Sequence, residues 1–548
     1  MAQWLHRCMV AAWESGQAPA AWKRAMLVPI HKKGDRLDPD NYRGVTLLEV
    51  MGKAYVTVLH QRIRRHLCNQ LLDCQKGFRP SSGTTDALYS MRRLIELSRD
   101  YSAPLHAAFV DFRKAFDSVN RRTLWRLLQA RGVSPKLVSL IEDLYSGCEA
   151  CTSANGHTSA WFPMSTGVRQ GCPMSPTLFN VFMDFMARLV ADRCAQRGIQ
   201  GFRVAFRFGD QLVAAPTGGD ECMAMLMLLY ADDLVLMADS AEGLAAALEV
   251  LEGVAAEWGM QMNYPKTKAV RFGSGGTGAA AAAEPATPTQ QQHPQQPSAP
   301  AAQPRVIQLA GGQVQYVDQF CYLGSIQAAD GSLEPELDKR LRQAGAVYHQ
   351  LRSTVLGPDT RVGLRTRMTF YKACVLPTLL YGAPESWAPT TAQQARLDVF
   401  NTTCLRSMIG ASRRHSDMIS NAELFELTGQ PAISTLMQQR RLMWLGHVAR
   451  KPDSCDTKQL MFATAPAWGQ PGAEEGGQGG QQRGGRAPRR AMGGPKCTWN
   501  RLAKKDLAAA YGNQPAAASR WLSDCRDRAT WRRLIKGKGK DGGESEED

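Results

Sequence analysis

Two adjacent carboxylates, Asp232 and Asp233, follow Tyr230 and Ala231 between the apolar runs 226–229 and 234–237. Short apolar runs with polar residues between them predict a buried β-hairpin. Carboxylates beside such strands are costly unless a cation or polar partner compensates them. Successive strand side chains point to opposite faces, so the two acids contribute unequally unless the turn re-aims one. Asp232 is read as the direct metal ligand and Asp233 as a secondary one. An acidic hairpin tip suits Mg²⁺, which takes one or two carboxylates and leaves positions for phosphates. Standing alone, the same segment also reads as a solvated acidic turn.

Upstream, an apolar stretch runs from His106 and ends at Asp111. Asp117 and Ser118 then offer a cap for a helical pattern over 119–130. Asp111 at the end of one buried strand can meet Asp232 on a neighbour, giving the carboxylate pair of a two-metal phosphoryl-transfer site. Between these segments, residues 166–180 form a Gly/Pro loop that opens an apolar helix from Leu178. A loop carrying Arg169 and Gln170 just before a helix suits holding a nucleotide and its template base, and alone it also reads as an ordinary loop-to-helix entry.

These three segments resemble motifs A, B and C of reverse transcriptases in the form found in non-LTR (LINE-type) retrotransposons. The flanks agree. Residues 28–35 and 41–44 resemble the fingers motifs, with Gly44 where the family usually has proline, and 76–86 resembles the next finger segment. Residues 262–268 resemble motif D, and 320–325 the primer-grip hairpin. The ordered series covers roughly residues 22–351, and its specificity lies in that order.

The resemblance implies roles. Asp111, Asp232 and Asp233 would hold two Mg²⁺, with Mn²⁺ as a substitute and the Phe112 carbonyl as an extra ligand. Phe116 falls at the steric gate that rejects a 2′-hydroxyl, favouring dNTPs. Gln170 would contact the incoming nucleotide, and Gly171 would admit a close backbone approach. Lys32 or Lys33, with Arg43, would neutralise triphosphate oxygens, and Arg79 would touch template or nucleotide. Lys266 is the candidate proton donor to pyrophosphate, and Tyr322, Leu323 and Gly324 form the primer grip.

The implied fold class is α+β: a right-hand polymerase with fingers, an antiparallel palm sheet and a helical thumb, plus a helical C-terminal region. Fingers and palm are expected over 1–273, primer grip and thumb over 305–390, a helical post-thumb region over 391–463 and a small helical segment over 495–536. Residues 334–356 and 361–380 carry Lys339, Arg340, Arg342, Arg352, Arg365 and Arg367, read as a grip on the primer–template backbone. His447 and Trp444 read as structural and core residues. Gly-, Ala-, Gln- and Pro-rich composition predicts disorder at 274–304, 464–494 and 537–548.

The 548 residues carry a net charge of +16. Such an excess suits a polyanionic partner through salt-sensitive phosphate contacts, and also fits other basic proteins. Fourteen scattered cysteines argue for reduced thiols inside a cell. Cys148 and Cys151 lack the second pair or histidines of a zinc site. No signal peptide or long apolar run is seen, so nucleus or cytoplasm is expected and a membrane is not.

The expected activity is RNA-templated DNA synthesis from a primer 3′-hydroxyl, in target-primed copying of an element's RNA. With no nuclease motif found, a truncated product is expected, and a separate endonuclease would supply the nick. The alternatives are a catalytically silent RNA-binding relic, a group II intron-type reverse transcriptase/maturase and an RNA-dependent RNA polymerase. Phe116, and Ala231 where the last class carries glycine, oppose it. Oligomeric state is not legible.

Overall fold

The stretch Leu105–Val110 is buried along its whole length and forms an inner strand of a six-stranded sheet in the computed structural model. The structure describes residues 2–32, 34–154, 156–217, 219–273, 306–411, 419–467, 497–514 and 518–536. The sheet order is Val306–Leu309, Gly312–Tyr316, Lys268–Phe272, Leu105–Val110, Asp233–Ala238, Met227–Tyr230. The sheet is not purely antiparallel as expected: Lys268–Phe272 runs parallel to Gly312–Tyr316.

Alternation along the strands sends Ala108, Val110, Leu234 and Leu236 to one face, where helices Ser175–Gln196 and Ala241–Glu257 cover them. Phe109, Val235 and Met237 face the other side, against helix Thr84–Asp100. Because both faces are dry, the strands read as continuous apolar runs. A second sheet pairs Arg24–His31 antiparallel with Tyr42–Leu48 and parallel with Glu149–Ala154, forming the fingers.

The expected α+β right-hand layout is present, but three boundaries move. Residues 306–316 complete the palm sheet instead of opening the thumb. Helices Glu334–Leu351, Leu364–Phe370, Thr391–Ile409 and Asn421–Thr428 share one core through Leu337, Met368, Leu405 and Leu424, so position 390/391 does not divide two packing units. Strand Ala463–Pro466 pairs with Phe202–Phe206, so ordered structure runs past the expected linker start at 464. The expectations for 274–304, 468–494 and 537–548 lie outside the described residues.

The C-terminal segment returns to the palm. Trp499, Trp521 and Trp531 are buried with Trp444 and with Tyr89 of helix Thr84–Asp100. Glu96 of that helix accepts from the Trp499 backbone N–H at 3.0 Å. Trp444 is core, as expected, and His447 stacks on it at 5.2 Å. Cys148 and Cys151 are buried free thiols.

The deepest link is ionic. Lys76 is fully buried and pairs with Asp73 at 3.1 Å and with Asp456 of helix Asp456–Met461. The two carboxylates keep the Lys76 ammonium charged against its burial. Asp456→Ala leaves that ammonium with one partner at the edge of the core. It should lower unfolding free energy by about 3–5 kcal/mol, read by denaturant titration of tryptophan fluorescence. A loss below about 1 kcal/mol would show instead that the pair behaves as a solvated one.

Candidate active site

Tyr230 pairs with Asp233 across the hairpin, leaving Ala231 and Asp232 as a two-residue turn. Ala231 has φ +58°, a left-handed conformation that costs an L-residue roughly 1–2 kcal/mol. The hairpin sits beside Leu105–Val110 with Leu234 opposite Val110. Asp111 and Asp233 therefore step off the ends of two paired strands side by side. The carboxylates sense one another. Asp233 is pushed up to about 6 by burial, then by Asp232 and Asp111. Asp232 is raised by burial and by Asp111, while Arg43 and Lys32 pull it down.

A cavity of about 430 Å³ opens at this point, lined by Asp111, Asp233, Lys266, Lys268, Tyr322 and Leu323 among others. Asp111 accepts from Asn263 Nδ2 at 2.8 Å and lies 3.9 Å from Lys266 Nζ. Two raised carboxyl groups beside a third make an oxygen-only donor set with excess negative charge, which fits hard divalent cations. Among the described residues, the donors that close to within 4.8 Å of one another are Asp73, Cys455 and Asp456. That cluster is filled by Lys76, so it is an ion-pair site.

The motif B-like loop ties palm to fingers. Val168 N donates to Phe116 O at 2.8 Å, and Thr46 N of the fingers strand donates to Gln170 O at 2.7 Å. Gly171 has φ +106°, and a Cβ there would strike the Thr46 carbonyl oxygen, so its glycine has a packing cause as well. The Phe116 ring stacks on Phe179 at 4.2 Å, which fixes its plane. The turn expected as the primer grip lies between Tyr322 and Ser325, with Leu323 at φ +45° and Gly324 at φ +77°. The thumb side holds it: Tyr381 Oη donates to Leu323 O at 3.0 Å, and Lys339 and Arg340 donate to Gly324 O.

Several expected residues do something else. Arg79 donates to Leu72 O at 2.8 Å and pairs with Asp73 at 3.5 Å, so its guanidinium closes a local turn instead of facing a nucleotide. Arg169 is buried over the Tyr145 ring at 4.8 Å and leaves the loop's outer face. Asn120, not Asp117, caps helix Arg121–Ala130. Lys339, Arg340 and Arg367 are turned to backbone carbonyls of other elements, whereas Arg342, which donates to Asp338 O of its own helix, and Arg352 and Arg365 are exposed on the thumb. Phe112 is buried next to Asp111 and bridges to Met262. Lys33 lies outside the described residues. Three residues escaped the sequence reading: Asn263, Gln75 and Asn180. Gln75 Oε1 accepts from Ala231 N at 3.0 Å, and Asn180 Nδ2 donates to Gly77 O at 2.8 Å. The available signal was a carboxamide two positions before Gly77.

Residues 30–326 match the reverse transcriptase (RNA-dependent DNA polymerase) family. The chain belongs to this family. Its relatives support the LINE-type resemblance. It is 28% identical over 248 residues to a retrotransposable element R2 Pol polyprotein of Nasonia vitripennis, covering 45% of this chain and 22% of that protein. It is 26% identical over 269 residues to a transposon TX1 protein of Xenopus laevis, covering 49% and 19%. It is 23% identical over 414 residues to the RNA-directed DNA polymerase from mobile element jockey of Drosophila melanogaster, covering 72% and 38%. The reverse transcriptase chain thus spans well under half the length of each. A telomerase structure from Candida albicans aligns over 94% of this chain and 67% of that one, with a TM-score of 0.37 and 10% identity.

The acid cluster sets a pH dependence. Asp233 binds its proton more tightly folded, near 6, than at the ordinary 3.8, so its contribution to stability falls as pH climbs through that window. In EDTA, Asp232→Asn should flatten the fall in Tm between about pH 5 and about pH 7.5, because it removes the nearest like charge. Mg²⁺ should raise the wild-type Tm at the upper pH and much less at the lower. Identical Tm profiles for both proteins would mean the two acids do not interact.

Proposed function

We propose that this reverse transcriptase chain copies RNA into DNA from a primer 3′-hydroxyl, in target-primed synthesis with a separate endonuclease supplying the nick. One observation carries the reading: the register of Leu234 opposite Val110 brings Asp111 to Asp233 at a cavity shared with Lys266 and the Tyr322–Leu323 turn. Bound between the acids, two divalent cations (Mg²⁺, or Mn²⁺ in substitution) supply nucleophile activation and charge neutralisation for phosphoryl transfer. Asp111, Asp232 and Asp233 hold them.

The pull of Lys32 and Arg43 on Asp232 puts positive charge on the fingers side of the acids. There they receive the triphosphate of a dNTP, Arg43 by a two-point fork. Gln170 and Gly171 contact that nucleotide. Phe116, backed by Phe179, lies under its sugar and rejects a 2′-hydroxyl. Lys266 donates a proton to the leaving pyrophosphate, and Tyr322, Leu323 and Gly324 hold the primer end. Exposed Arg342, Arg352 and Arg365 touch the template–primer backbone. Among the described residues no helix is long and apolar enough to cross a membrane.

Primer extension on poly(rA)/oligo(dT) with Mg²⁺ tests this. The expected result is extension with dTTP, none with UTP, and background signal for Asp232→Ala. Phe116→Val should raise UTP use relative to dTTP by about 10-fold or more, since a sugar-contacting ring sets that ratio. Extension by the wild type with UTP would make it an RNA polymerase. RNA binding without any extension would make it a silent relic.

A further inference from the structure

The catalytic turn has a mount of its own. Residues 74–77 run alongside strand Met227–Tyr230 as a short strap, with Leu229 N donating to Cys74 O at 2.9 Å and Lys76 N to Leu229 O at 2.8 Å. From this strap Gln75, which is 1% exposed, reaches the turn. Its Oε1 accepts from Ala231 N and from Gly77 N, both at 3.0 Å, and its Nε2 points back to Ala231 O at 3.5 Å. No strand partner serves that Ala231 amide, because the turn lies beyond the last hairpin pair at Tyr230 and Asp233. A Cβ on Gly77 would come within 2.6 Å of Ala231 N, so strap and turn are in close contact.

The strap is itself fixed from two sides. Asn180 Nδ2, on the long palm helix, donates to Gly77 O at 2.8 Å. Lys76 is locked between Asp73 and Asp456, the latter 380 residues away in helix Asp456–Met461 of the post-thumb region.

We propose that Gln75 is a positioning residue for the metal-binding turn: its carboxamide holds Ala231 in the left-handed conformation that aims Asp232 and Asp233. The Lys76–Asp456 pair is the brace that ties the post-thumb region to that geometry. Gln75 touches neither nucleotide nor cation and acts through Ala231. This inference rests on the proposed polymerase reading for its kinetic arm alone. A turn held at one amide by one buried oxygen loses its aim when the oxygen is removed, and small misplacements of reacting groups cost rate disproportionately.

The test compares wild type with Gln75→Met, which fills the space without hydrogen bonds, and Gln75→Glu, which keeps an oxygen facing both amides. Hydrogen exchange of the 226–236 peptide in the metal-free full chain should quicken about tenfold in Gln75→Met, while the 105–110 strand is unchanged. In primer extension, kcat should fall about 10- to 100-fold with a higher Mg²⁺ half-saturation and an unchanged KM for primer–template. Gln75→Glu should recover most of the exchange protection, while its added negative charge beside the three acids keeps kcat low. Asp456→Asn should quicken exchange in the same peptide. Normal exchange and normal Mg²⁺ dependence in Gln75→Met, whatever its Tm, would overturn the proposal. If the wild type extends no primer, the polymerase reading fails and the exchange arm still decides Gln75.

Discussion

Three carboxylates repel one another, and the hydrogen-bond ladder between Leu105–Val110 and Asp233–Ala238 holds them together regardless. That ladder lies between two dry layers, with helices Ser175–Gln196 and Ala241–Glu257 on one side and Thr84–Asp100 on the other. Side chains packed at crystal-like density cannot slide, so the strand ends cannot part to relieve the charge. Burial first, and the neighbouring acids second, raise the proton affinity of Asp232 and Asp233. One register thus sets both the packing of the sheet and the closeness of the acids.

Much of this was legible because it is local. An acid inside an apolar run is anomalous, and the runs 226–229 and 234–237 predicted the hairpin that forms at Met227–Tyr230 and Asp233–Ala238. The helical region expected at 334–356 and 361–380 is helical in the structure, through Glu334–Leu351 and Leu364–Phe370. What failed was the fate of single charges. Arg79, Arg169, Arg367 and Lys76 look like solvated or ligand-binding cations in sequence, yet each is consumed internally. Whether an arginine faces solvent depends on a carbonyl or ring brought up by tertiary packing, and no local pattern encodes that. Gln75 was missed for the same reason: its partner is 156 positions away.

Boundaries failed for a related cause. Composition marks where a chain stops being able to bury apolar surface, but not which core a helix joins. Leu405, Leu424 and Met437 belong to the same core as Leu337 and Tyr371, so a division near residue 390 cuts through a packed unit. The tryptophans of the last segment close over Tyr89 on the palm's own helix, and Arg441 pairs with Asp506 beneath them. The C-terminal segment is therefore packed against a palm helix and shares its core, and is not an appendage. Its sequence signal, three tryptophans in a small helical stretch, told of a core without telling whose.

The two lips of the cavity are built alike and anchored differently. Ala231 on one hairpin and Leu323 on the other are both non-glycine residues held in the left-handed region, at φ +58° and +45°. Such conformations persist where surrounding contacts over-determine them. For Ala231 those contacts come from the palm, through Gln75 on a strap that Asn180 fixes. For Leu323 and Gly324 they come from Tyr381, Lys339 and Arg340, which sit on or beside helix Glu334–Leu351 and its thumb core. Arg340 also stacks on the Tyr381 ring at 4.7 Å, so the three act as one grip. The 322–325 turn is thus held from the thumb side, whereas the acids are tied to the palm sheet, so the two lips of one cavity answer to different cores.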